Sequence, residues 1–172
     1  GALALSEGRL ADARRSLSEA YDFNRSADVV RNWYSNALTA LGEYASAADA
    51  ASGTNKLPIL SLAGRRDAAQ VVFESLELPF YTEGDLANIG AWMLREKRHG
   101  EFIALLEEQA AEEDWIGAQP VPENLWGTQH LLNTAIALQA IGRDAEGQRV
   151  LDMARQFLDD QASGGANNVV FW

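Results

Sequence analysis

The groups able to do chemistry are few and far apart. His99 and His130 stand 31 positions apart, and neither falls at a metal-ligand spacing. His99 closes a helical pattern and reads as a cation near a helix C-terminus. The acidic run Glu107, Glu108, Glu112, Glu113 and Asp114 lacks the alternating oxygens and glycine of a calcium loop, so it reads as a solvated helix face. Gly53-Thr54-Asn55-Lys56 lacks the upstream glycine of a phosphate-binding loop. No Gly-x-Ser-x-Gly elbow occurs, and there is no cysteine for a thiolate nucleophile, a metal site or a disulfide. The expectation is a non-catalytic chain with no cofactor and no metal. Of the five tryptophans, Trp33 and Trp92 fall within apolar helical stripes and should be core. Trp115 and Trp126 flank a proline-containing loop, where they staple it down or line a ligand site.

Composition narrows the class further. The chain has 172 residues, 47% of them apolar, with a net charge of −11. This is enough for one domain with a core, and its acidity disfavours nucleic acid, which demands a cationic footprint. No apolar run approaches the length needed to span a membrane. Lack of cysteine does not fix the compartment, although a cytoplasmic setting is favoured. The chain begins at Gly1 inside an apparent helix and ends on apolar Val169-Val170-Phe171-Trp172, which reads as a fragment of a longer protein.

The elements that must position any site are helices, since valine, isoleucine and threonine never alternate over a long run. Ala13, Leu17, Ala20 and Tyr21 share one face of a helix from about Leu10. A second helix, capped by Ser26 or Asp28, runs to Leu41. Shorter helices follow from Tyr44 to about Ala51, from Leu57 to Ala63 with Pro58 in the first turn, and from Arg66 to about Leu76. Pro79 and Gly84 bracket a connection, with Phe80-Tyr81 packed under it. The next helix starts at Gly84 or Asp85 and ends at His99-Gly100, and Phe102 to Glu113 is its mate. Trp115 to Glu123 is irregular. A long helix from about Asn124 or Gly127 to Ile141 then pairs with one from Arg143 to about Asp160.

One turn recurs. Gly8, Gly42, Gly64, Gly100 and Gly142 each break a helix, at steps of 34, 22, 36 and 42 residues. Thirty-four residues per helix–turn–helix unit is the tetratricopeptide period, and the chain resembles that family in side chains as well. A small residue opens the second helix of a unit and a bulky one follows four later: Ala13 with Leu17, Ala69 with Phe73, Gly147 with Leu151. The small side chain lets two helices approach closely near the turn. Leu105 in the fourth unit and the 22-residue step depart from the pattern. The resemblance implies an all-α, right-handed α-solenoid of about five antiparallel helical hairpins.

It also implies a protein-interaction scaffold with a concave groove for a peptide or protein segment. By register with the family, the inward positions are Val29, Asn32, Asn36 and Thr39 in the second unit, and Gln129, Leu132, Ile136 and Gln139 in the last. Asn32, Ala87 and Ala91 stand where the family's carboxylate-clamping variety has basic residues, so acidic chain termini are not the expected ligand. Two other functions remain open: a homo-oligomer joined through exposed solenoid ends, with a homodimer the simplest form, and a helical sensor or enzyme with its site near the Trp115–Trp126 loop.

Overall fold

The computed structural model describes residues 1–76, 82–110, 114–117, 122 and 124–163. Among the described residues there are ten α-helices, one 3-10 turn and no strand, so the chain is all-α. The chain divides into two compact units, residues 1–76 and 77–172.

The first unit contains α1 (Ala2–Ser6), α2 (Leu10–Phe23), α3 (Asp28–Ala40), α4 (Tyr44–Ala50), the 3-10 turn Gly53–Asn55, α5 (Lys56–Leu62) and α6 (Arg66–Glu74). Its main contacts run strictly between sequence neighbours, from α1 on α2 through to α5 on α6. Ala4, Ala13, Leu17 and Ala37 form one core cluster, with Leu5, Trp33 and Tyr34 packed against it. The start of α3 differs from expectation: its N-cap is Ala27, which makes no side-chain bond. Asn24 takes both the amide and the hydroxyl of Ser26 instead, an Asx-type turn that competes with capping.

The second unit contains α7 (Glu83–Arg95), α8 (His99–Gln109), α9 (Leu125–Ala140) and α10 (Asp144–Ser163). Here α9 is the hub, with α7, α8 and α10 all packed on it. Asn133, buried on α9, donates to the Ala87 carbonyl at 2.9 Å and ties α9 to α7 across 46 residues. The N-terminus of α7 is set by Thr82, not by Gly84 or Asp85. Thr82 and Asp85 form a reciprocal capping box, with Asp85 serving as the returning acid.

Five three-residue connections, after α1, α3, α5, α7 and α9, share one geometry. The middle residue has φ between +60° and +82°, and the amide after it donates to a carbonyl five residues back at 2.8–2.9 Å. This six-to-one bond closes a Schellman turn, which satisfies carbonyls the helix end would otherwise orphan. Four of the middle residues are the expected glycines Gly8, Gly42, Gly64 and Gly142. The fourth break in chain order is not Gly100. It is Lys97, at φ +60°, and Gly100 lies within the first turn of α8. His99 is therefore the first residue of α8 and not a C-terminal cation of α7.

With Lys97 as the marker, the residue five positions after each break is Ala13, Ala47, Ala69, Phe102 and Gly147, and all five are buried. The expectation of Leu105 at this place in the fourth unit is thus corrected to Phe102. A phenylalanine fits because the partner helix gives way: a Cβ on Gly90 of α7 would stand 2.8 Å from the tip of the Phe102 ring. The small residue has moved from the second helix of the pair to the first, and the close approach is kept.

Candidate functional site

The positions expected to line a groove have different fates in the two units. In the first unit, the 3-10 turn after α4 folds over α3. The Asn32 side-chain oxygen accepts from the amide and hydroxyl of Ser52, at 3.1 and 3.0 Å. Asn55 donates to the Ser35 hydroxyl at 3.0 Å and reaches Asn36 at 3.4 Å. Thr39 turns its hydroxyl back to the Ser35 carbonyl. Arg31 adds two bonds to the Ala50 and Ala51 carbonyls and so caps the C-terminus of α4. Asn32, Asn36 and Thr39 are half-buried and knit α3 to its own chain, whereas Val29 is exposed.

In the second unit, Gln129, Leu132, Ile136 and Gln139 all lie on the exposed face of α9. Leu125 joins them one turn earlier, and Leu125, Leu132 and Ile136 are 49%, 39% and 50% exposed. All sixteen residues of α9 lack a formally charged side chain. Ala135, Ala137, Leu138 and Leu131 are buried on the opposite face, and Gly147 of α10 comes close beside the end of the stripe, where a Cβ would meet the Gln139 side chain at 2.8 Å. Its N-terminus is capped by Asn124, which accepts from the Trp126 and Gly127 amides. The Glu83 carboxylate lies against Gly127, where the positive end of the α9 dipole favours an anion.

Behind the same helix, His130 is 1% exposed, edge-on to Phe102 with ring centroids 6.4 Å apart. Burial pushes its pKa down to about 4, so the ring is neutral at pH 7. It packs within the core of the hub, away from the exposed stripe.

The loop between α8 and α9 is described in part. Asp114 receives both Nη atoms of Arg149 at 2.8 Å and the Gly117 amide at 3.1 Å. These bonds, the Arg149 pair first, hold its carboxyl below the usual range. Trp115 and Ile116 are buried, and the Arg143 guanidinium stands 6.0 Å from the Trp115 ring centroid. Trp115 is thus in the core, while Trp126 on α9 is 37% exposed. Of the acidic run, Glu107 pairs with Arg143 and Asp114 with Arg149. Glu112 and Glu113 lie outside the described residues, as do Pro79, Phe80 and Tyr81 and the segment from Gly164 to Trp172. Among the described residues no cluster of three histidine or acidic side chains is placed to hold a metal. None of their helices is long and apolar enough to cross a membrane.

Charge separates the units as well. Residues 1–76 carry eight lysines and arginines against nine acids, and residues 77–172 carry six against sixteen. Among the described residues, Arg98, Arg143 and Arg149 of these cations are tied to acids. The uncharged face of α9 therefore stands in the acidic half of the chain. Register reasoning located that face but could not reveal the network that occupies α3, which depends on a turn twenty residues away. Compared with family models, with curated proteins and with solved structures, the chain matches none.

Proposed function

We propose that this chain is a non-catalytic interaction module, a tetratricopeptide-like right-handed α-solenoid that holds a peptide or protein segment through the exposed face of α9. The observation that carries this is the stripe Leu125, Gln129, Leu132, Ile136 and Gln139. It sets three large aliphatic side chains and two neutral amides in solvent on a helix with no charge. Large apolar side chains exposed along one helix face in this way are a mark of contact sites. The neutral amides can bond a peptide backbone without the desolvation cost of a charge. The acidic surroundings favour a basic or neutral segment.

The solenoid reading is supported by five identical breaks, two of whose steps, Gly8 to Gly42 and Gly64 to Lys97, are 34 and 33 residues. The buried position five residues after each break supports it too. Affinity capture from a cell lysate with the wild-type chain and with Ile136→Asp tests the function. A stoichiometric partner should be recovered by the first and lost with the second. Equal recovery by both removes the face from consideration.

A further inference from the structure

Nine asparagines occur in the chain, and one of them, Asn24, has a hydroxyl residue two places on, in Asn24-Arg25-Ser26. Asn-x-Ser or Asn-x-Thr, with x other than proline, is the acceptor pattern for N-linked sugars. The pattern is frequent by chance, so the fold around it decides. Asn32, Asn55 and Asn133 use their side chains inside the fold. Asn24 stands at the end of α2, at φ −144°, where the backbone has left the helix. It is exposed, as are Phe23, Arg25 and Ser26 around it, Phe23 to 93%. Arg25, the bulky middle residue, folds back onto α2, where it bonds Asp22 at 2.7 Å and lies over the Tyr21 ring. The turn therefore stands open to an enzyme.

The hydrogen bonds at Asn24 supply a reason for the hydroxyl at that spacing. A carboxamide nitrogen is a poor nucleophile, because its lone pair is delocalised onto the oxygen. The Asn24 oxygen accepts from the Ser26 hydroxyl at 2.8 Å and from the Ser26 amide at 3.2 Å. When the nitrogen gives up a proton, the negative charge falls largely on that oxygen, and both donors favour the charged form. The nitrogen itself bonds to none of the described residues, so no contact has to be broken to expose it.

We propose that Asn24 is an acceptor for an N-linked sugar, taken from a donor whose anomeric carbon is esterified to phosphate. In the transfer the bond from Asn24 Nδ2 to the sugar C1 forms, and the C1–O bond to phosphate breaks. The phosphate leaves with that bond's electron pair, a base of the transferase takes one Nδ2 proton, and nothing is oxidised or reduced. Two carriers share this donor chemistry, a lipid pyrophosphate outside the cytoplasm and a nucleotide within it. The site lies between α2 and α3 in the first unit and is independent of the α9 face.

The test gives the folded full chain to an oligosaccharyltransferase with a lipid-pyrophosphate oligosaccharide and, separately, to a soluble transferase with a nucleotide-linked hexose. Mass spectrometry of the peptide bearing Asn24 reads the product. A single glycan should appear on Asn24 with at least one donor, and the donor that serves identifies the carrier. Ser26→Ala should slow transfer about tenfold or more, through loss of the bond to the carboxamide oxygen. Ser26→Thr and Arg25→Ala should retain transfer, and Asn24→Gln should abolish it. The three positions are exposed, so circular dichroism should show unchanged helicity in every variant. No product with either donor overturns the proposal, as does transfer to Ser26→Ala at the wild-type rate or to another asparagine. Product formed only after the chain is unfolded in urea also overturns it, because the folded turn then does not present the acceptor. Protein isolated from its own cells should carry the sugar on the same residue, and a bare Asn24 there overturns it as well.

Discussion

In residues 1–76 each helix rests on its neighbours in sequence, while in residues 83–163 three helices converge on α9. The same register positions meet different ends as a result. In the first unit the chain turns back at Ser52–Asn55 and spends the polar side chains of α3 on itself. In the second, α9 is gripped by α7, α8 and α10, which leave one face of it exposed. A residue's place on a helix thus says which way it points, and the local connection decides whether anything of the same chain covers it.

The largest expected effect tests whether the hub is as dry as the comparison requires. His130 titrates near 6.5 when unfolded and near 4 when folded, so the folded state resists protonation. The unfolded state then binds more protons as pH falls below 6.5. The neutral histidine's full stability is present above that value, declines by about 1.4 kcal/mol per pH unit through the window, and levels off below pH 4. The total is about 3 kcal/mol. Hydrogen exchange should show α7 to α10 loosening with little change in α2 to α5, and His130→Gln should flatten the pH dependence. Equal loosening in both units would dissolve the contrast.

Next in size is the exchange of large and small between α7 and α8. Gly90→Ala should cost about 1–3 kcal/mol, because the new methyl meets Phe102 and Asn133 at once. Phe102→Leu in the same chain should restore much of that loss. A denaturation midpoint that does not move in Gly90→Ala would mean the two helices are not that close. In the first unit, Asn55→Ala should cost about 1–2 kcal/mol by removing the buried donor to Ser35. It should also raise the exchange of amides in the turn Gly53–Asn55, and protection retained there would show the turn to be held by other means. The smallest effect is a gain. Lys97→Gly relieves a left-handed lysine and should stabilise the second unit by about 0.5–1 kcal/mol, whereas Gly42→Ala should destabilise the first by a similar amount. If Lys97→Gly lowers the midpoint, the fourth turn does not share the geometry of the others.

Much of this architecture was legible before any coordinates. The helices at Leu10, Tyr44 and Arg66 begin at the expected residues, because apolar periodicity and glycine breaks mark them. Four of the five breaks were found for one physical reason: glycine alone enters the left-handed region without cost. Lys97 was missed because nothing in a lysine's chemistry announces that conformation, and Gly100, three residues on, drew the assignment to itself. Thr82 was missed because its capping partner is an aspartate where the usual pattern has glutamate or glutamine. On the candidate face, Gln129, Leu132, Ile136 and Gln139 came from register with the tetratricopeptide family, and all four are exposed on α9. The fate of Asn32 and Asn36 could not follow, since it is decided by Ser52 and Asn55 and by no pattern within α3.

The bond from Asn133 to the Ala87 carbonyl also sets an order in time. Its ends are 46 residues apart, while the network around Asn32 and Asn55 closes across 20 to 23. Closing the longer loop costs about 0.7 kcal/mol more chain entropy, and it is spent before any contact between α7 and α9 returns it. Neighbour-on-neighbour packing lets the first unit assemble as each helix forms. The second must hold α7 and α8 in waiting until α9 arrives, so the face proposed for a partner takes shape after both of them.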